Sequence, residues 1–188
     1  RETLNVIRTV DGDNYLVDED GDFWRMYIFI EDATCFDIVE KPEDFYNSAL
    51  SFGNFQKLLA DYPASTLHET IPNFHNTVSR FEDFRKAVEE DTYKRAAGVQ
   101  KELRFVMDRE PETHVICDAL AKHRIPLRVT HNDTKLNNIM IDNKTGKGLC
   151  VIDLDTVMPG SALYDYGDSI RFGASTGAED EKDLDKIS

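Results

Sequence analysis

An α+β fold follows from the order of three patterns along this chain. Short alternating runs broken by tight turns occupy residues 3–30, helical spacing occupies 42–123, and a strand–loop–strand signature occupies 129–155. Strand runs followed by helix runs segregate into an α+β architecture, whereas regular alternation of the two builds a parallel sheet. The 188 residues suffice for one domain with a sizeable core, or for one and a half small ones.

The first pattern reads LNVIRTV, then the turn Asp11-Gly12-Asp13-Asn14, then YLVD, then the turn Glu19-Asp20-Gly21-Asp22, then FWRMYIFIE. It predicts a three-stranded antiparallel meander that needs a partner surface, because so small a sheet is marginal alone. The two acidic turns resemble calcium loops in composition only. They lack the length and closing Glu of an EF-hand, so hairpin turns are expected.

The second pattern places Phe45, Ala49, Phe52, Phe55, Leu58 and Leu59 near helical spacing, with Pro42 and Pro63 as punctuation, and predicts a helix over 42–62. Residues 64–77 read as loop. Phe81, Phe84, Val88 and Tyr93 predict a second helix over 78–97, broken by Gly98. Shorter helices are expected over 101–107 and 112–123, the latter ended by Pro126. Beyond the central stretch, Met158-Pro159-Gly160-Ser161 reads as loop, and Tyr164 to Phe172 as a turn entering a short helix. The acidic tail from Ala178 to Ser188 has the composition of another helix start.

Composition narrows the function classes. A net charge of −14 without a basic stripe argues against nucleic acid as a partner. No apolar run reaches the ~18 residues of a membrane span, and the N-terminus has no signal-peptide core. Cys35, Cys117 and Cys150 are odd in number and far apart, so neither a disulfide framework nor a zinc site is expected, and a cytoplasmic location is.

The chemistry concentrates in Val129–Asp155. LRVTH is a short β run, HNDTKLNN is polar without helical period, and IMID and LCVIDLD are apolar runs ending in acids. Residues 143–148 join the last two as a hairpin turn. Asp133, Asn138 and Asp153 therefore sit at turns or strand ends, where side chains project into clefts. Each has an ordinary explanation taken singly: a turn cap, an Asx-turn, the end of an edge strand. The ordered set says more. His131-x-Asp133-x4-Asn138, followed by an acid after a buried strand, matches the catalytic-loop and metal-binding spacing of kinases. Phosphoryl transfer needs a carboxylate on the acceptor hydroxyl, which suits Asp133, and oxygen ligands for a hard cation, which suit Asn138 and Asp153. Asp155 is a candidate for a second ion or its water, and Lys135 for a point charge on phosphate. His131 and one of Asp165 and Asp168 are expected to support the loop through hydrogen bonds, with Arg171 pairing with one of those acids. His75, in IPNFHNT, is read as a satisfied loop histidine.

The segment HNDTKLNNIMID…VIDLDTVMPGSALYDYGDSIRFGAS resembles the aminoglycoside phosphotransferase and choline kinase superfamily of protein-kinase-like enzymes. WRMYIFIE, FQKLLADYP and IPNFHNT look most similar to its N-acetylhexosamine 1-kinases. The resemblance implies Asp133 as catalytic base, Asn138 and Asp153 on Mg²⁺ beside ATP phosphates, and Asp155 as the second acid. It implies backbone contacts from Phe29, Ile30 and Glu31 to adenine, and a sugar substrate phosphorylated at its anomeric hydroxyl. It divides the chain into the end of a small β lobe (1–30), a hinge (31–42) and a mainly helical catalytic lobe (43–188). It further implies a fragment of the full fold, with ATP-gripping parts before residue 1 and acceptor-pocket helices after Ser188, and hence weak turnover by these residues alone. A kinase for another small alcohol, and a relative that binds nucleotide without catalysis, stay open as alternatives.

Overall fold

A computed structural model describes residues 3–39, 41–175, 177, 181–183 and 185. In chain order its elements are β1 (Val6–Ile7), β2 (Leu16–Val17), β3 (Phe23–Trp24), β4 (Met26–Tyr27), β5 (Ala33–Thr34), α1 (Pro42–Leu58), α2 (Thr77–Glu90), α3 (Gln100–Met107), α4 (Glu110–Ala121), β6 (Arg128–Thr130), β7 (Ile139–Asp142), β8 (Gly148–Val151), β9 (Met158–Gly160) and α5 (Ala162–Gly173). Small antiparallel sheets and helices make up the mixed fold that the order of patterns predicts. The described residues fall into two compact units, one from 1–58, 133–154 and 167–188, the other from 59–132 and 155–166.

In the first unit the N-terminal strands form nested ladders instead of a meander. β1 pairs with β4, Val6 opposite Tyr27 and Ile7 opposite Met26, while β2 pairs with β3 inside them. The single run expected over FWRMYIFIE is interrupted at Arg25, and its two halves face different partners. The turns decide this. Thr9 accepts from Gly12 N at 3.0 Å and donates to Asp13 O at 2.9 Å, with Gly12 at φ 92°, so the chain reverses without β1 pairing to β2. Asp18 gathers the second turn: its Oδ1 accepts from the amides of Asp20 and Asp22, and its Oδ2 from Trp24 Nε1 at 2.6 Å.

The sheet β5–β7–β8 forms the apolar centre of this unit, with α1 packed on β8. Phe52 of α1 meets Ile139, Ile141 and Val151, and Phe36, Phe55 and Leu154 pack around them. Each fully buried side chain of this size contributes about 1.5–3 kcal/mol. Pro42 and the acids Glu43 and Asp44 open α1, in keeping with the preferences of a helix N-terminus. The helix stops at Leu58, four residues before the predicted end, and a turn closed by Tyr62 N on Leu59 O leads to Pro63. The 142–147 turn is held by Asp142, whose Oδ1 accepts from Lys144 N and Thr145 N. At the end of α5, Gly173 leaves no room for a β-carbon, which would meet the Phe45 ring.

In the second unit α2 packs on α4. Asn76 caps α2 by accepting from Ser79 N at 3.1 Å. The helix ends at Glu90 and not near residue 97, because Asp91 adopts a left-handed φ of 34° and its Oδ1 takes the amides of Arg95 and Ala96. β6 and β9 form an antiparallel ladder, Thr130 opposite Met158 and Arg128 opposite Gly160. The Met158–Ser161 loop expected from composition is thus a strand as far as Gly160; its Pro and Gly carry a turn signature, and the pairing comes from a strand 28 residues away. Among the described residues no helix is long and apolar enough to cross a membrane, and Cys35, Cys117 and Cys150 form no disulfide. The helix start expected over 178–188 falls largely outside the described residues.

The hydrogen bond from Trp24 holds the Asp18 carboxyl below the usual carboxylate range, with the amides of Asp22, Asp20 and Gly21 helping. A lowered folded pKa contributes stability above the unfolded pKa and loses it as pH falls through the folded one. Trp24 is the sole tryptophan. Its fluorescence is expected to stay level from neutral pH through the ordinary aspartate range and to change only below it. In Asp18→Asn that acid transition should be absent.

Candidate active site

Within the second unit, β6 delivers the chain into the candidate loop. Thr130 is fully buried, and its hydroxyl donates to Met158 O at 3.0 Å, fixing the end of the strand. His131 and Asn132 follow, both buried. Asp165, buried in the first turn of α5, accepts from His131 N at 3.0 Å and Asn132 N at 2.7 Å. Asn132 takes a left-handed φ of 68°, a conformation Asn tolerates better than most residues. Its Nδ2 donates to Thr130 O at 3.3 Å and Thr156 O at 2.9 Å, and Thr156 Oγ1 donates to His131 O at 2.6 Å. His75 Nε2 lies 2.8 Å from Asn132 O. Asp155 is exposed at the next turn, where its backbone oxygen accepts from Thr70 Oγ1.

Within the first unit, Asp133 is four-fifths buried, with Lys135 Nζ 3.3 Å from Oδ1 and Asn138 Nδ2 2.9 Å from Oδ2. Asn138 Nδ2 also donates to Asp133 O at 2.8 Å, and Asn138 O accepts from Ile152 N at 2.9 Å, tying the loop to the strand end after β8. Asp168 repeats for Thr134 what Asp165 does for His131: Thr134 N reaches it at 2.7 Å, and Arg171 Nη2 pairs with it at 2.9 Å. Asp153 is exposed and left-handed at φ 56°, so its side chain leaves the β8 direction at a sharp turn. Phe29 and Glu31 are exposed after β4 while Ile30 is buried, and Asp32 O accepts from Asn143 N at the 142–147 turn.

Asn132, Thr134 and Thr156 are the residues that sequence reasoning missed. One signal was available, because Asp165 and Asp168 are three apart on α5 and therefore share a helix face. Two carboxylates on one face call for two sets of donors, and the backbone on either side of Asp133 supplies them.

The geometry offers a carboxylate held by one cation and one amide, which is a hydrogen-bond acceptor fixed in place. With Nδ2 of Asn138 committed to Asp133, its Oδ1 is the atom directed to other partners. Among the described residues no three His, Cys, Asp or Glu side chains converge on one point. Asn138 and Asp153 bring oxygen donors of the kind a hard cation takes, one at the start of β7 and one past the end of β8. The sequence profile of the phosphotransferase enzyme family matches residues 4–185.

This chain belongs to that family.

Among solved structures, this family member is similar to the AMP-bound complex of a spectinomycin phosphotransferase, with 16% identity and a TM-score of 0.49. The match covers 88% of this chain and 54% of that one, so the chain spans about half the length of that protein.

The second unit of this phosphotransferase-family chain also holds a cleft of about 250 Å³, lined in part by Asn73, His75, Asn76, Cys117, Asn132 and Tyr164. Burial, with Cys117 beside it, pushes the Tyr164 hydroxyl up to about 12. Burial acts to raise the Cys117 thiol as well, but hydrogen bonds from Thr77 and Val78 outweigh it and bring the thiol below its ordinary value.

Removing Asp165 orphans two buried amides. Asp165→Ala is expected to lower the unfolding free energy by about 3 kcal/mol in urea titration. Asp165→Asn should recover little of it, since its NH₂ faces one of the same amides. Asp168→Ala, nearer solvent, should cost less.

Proposed function

We propose that this chain carries the catalytic part of an ATP- and Mg²⁺-dependent phosphotransferase whose acceptor is the anomeric hydroxyl of an N-acetylhexosamine. The observation that carries the reading is the setting of Asp133, a mostly buried carboxylate held by Lys135 and Asn138 on a loop of a phosphotransferase-family chain. A carboxylate in that setting is suited to orienting an acceptor hydroxyl and taking its proton as the bond to phosphorus forms. The mechanism is positioning and charge stabilisation, since a largely dissociative phosphoryl transition state needs little covalent help. Asn138 and Asp153 would hold magnesium, with Asp155 as a further acid, and the bound ion would supply positive charge to the ATP phosphates. Lys135, 3.3 Å from Asp133, would also supply a point charge to a phosphate oxygen. Phe29, Ile30 and Glu31 would present backbone to the adenine. His131 and Asp165 set the loop. The sugar assignment rests on the likeness of WRMYIFIE, FQKLLADYP and IPNFHNT to the N-acetylhexosamine 1-kinases.

In the full-length protein that carries this chain, Asp133→Ala is expected to lower kcat about 10³-fold, within the range of a lost general base, with an unchanged circular dichroism spectrum. Chelation by EDTA should abolish turnover and added Mg²⁺ restore it. N-acetylglucosamine and N-acetylgalactosamine should be consumed ahead of choline or an aminoglycoside, with an anomeric phosphate in the ³¹P spectrum. A variant with wild-type kcat would remove Asp133 from the reaction. Preference for a cationic alcohol would move the acceptor, and ATP binding without turnover would make the protein a non-catalytic relative.

A further inference from the structure

Asp133 is addressed through its neighbour. Asn132 has every backbone polar group engaged, its N–H on Asp165 at 2.7 Å and its carbonyl on His75 Nε2 at 2.8 Å. That carbonyl and the N–H of Asp133 belong to one rigid peptide plane. Asn132 is also left-handed, at φ 68°, a conformation that persists where the surroundings over-determine it. Asp165 fixes the entry to this residue, and His75 fixes the exit, from which Asp133 departs.

The His75 ring is itself fixed. It lies 4.7 Å from the Phe74 ring and 5.3 Å from that of Tyr164, tilted by 55° to the first and 32° to the second. Asn76, the next residue, caps α2, so the loop bearing His75 is anchored at the start of a helix. His75 comes from a segment 57 residues away in sequence, and its Nε2 meets the peptide oxygen preceding Asp133.

We propose that His75 is a positioning residue of the phosphotransfer reaction: by donating from Nε2 to the Asn132 carbonyl it sets the peptide plane from which the Asp133 carboxylate is aimed at the acceptor hydroxyl. This rests on the phosphotransferase reading above. A shift of about 1 Å in a reacting group costs on the order of 100-fold in rate, so the bond acts on turnover and little on binding.

Two variants in the full-length protein separate the bond from the ring. His75→Phe keeps the stack against Phe74 and Tyr164 and loses the donor; His75→Gln keeps an N–H donor at similar reach. His75→Phe is expected to lower kcat roughly 10- to 100-fold, with KM for ATP and acceptor within about 2-fold of wild type, and His75→Gln to recover most of the loss. Amide hydrogen exchange at 131–134 should quicken in His75→Phe and not in His75→Gln. Wild-type kcat in His75→Phe overturns the proposal, as does a loss that appears in KM, or one that His75→Gln fails to restore while melting temperature falls in step. Exchange is readable without turnover. A wild-type protein that transfers no phosphoryl group removes the phosphotransferase reading and the catalytic role with it, whereas normal turnover with unchanged exchange in His75→Phe overturns the His75 role alone.

Discussion

The backbone of the candidate loop depends on carboxylates that accept main-chain N–H groups away from water. Asp165 receives two of them, from His131 and Asn132, and Asp168 receives that of Thr134. Charge-assisted bonds of this kind are shorter and stronger than neutral ones, and leaving such amides unsatisfied in a buried place costs more than the bonds contribute net. A loop without its own helix or sheet ladder must find partners for its amides. Here α5 provides them, through Asp165 for His131 and Asn132 and through Asp168 for Thr134.

Within the first unit, apolar packing supplies the frame for the strands that follow Asp133. Ile139 and Ile141 of β7 and Val151 of β8 close on Phe52, and the same two strands carry Asn138 at the entrance of one and Asp153 just past the end of the other. The bond from Ile152 N to Asn138 O fixes the spacing of the two strand ends. Alternation within β7, with Ile139 and Ile141 buried and Met140 half-buried, sets the register, since a slip of one residue would turn the apolar side outward.

Much of this was legible in the residues. The β7–β8 hairpin announced itself through two apolar runs around a Gly-containing polar turn, and α1 and α2 through apolar spacing. The spacing of Asp133 and Asn138 placed them on one loop before any contact was known. What was illegible depended on distant partners. β9 carries Pro159 and Gly160, poor strand residues that become a strand only because β6 lies alongside. The third N-terminal run was expected to be continuous because nothing local marks Arg25 as the point where two ladders exchange partners. The contact of His75 with a peptide oxygen 57 residues on has no local signature at all, whereas Asp165 and Asp168 did carry one in their helical spacing.

Gly173 carries a consequence for how this fold can vary. A β-carbon there would occupy the place of the Phe45 ring, so a side chain at 173 is compatible only with a smaller residue at 45. Two positions 128 apart in sequence are thereby bound into one steric unit, free to exchange volume with each other but not to enlarge together. Among natural variants of this chain, residue 173 should drift in step with residue 45, a correlated pair set by packing and independent of the chemistry at Asp133.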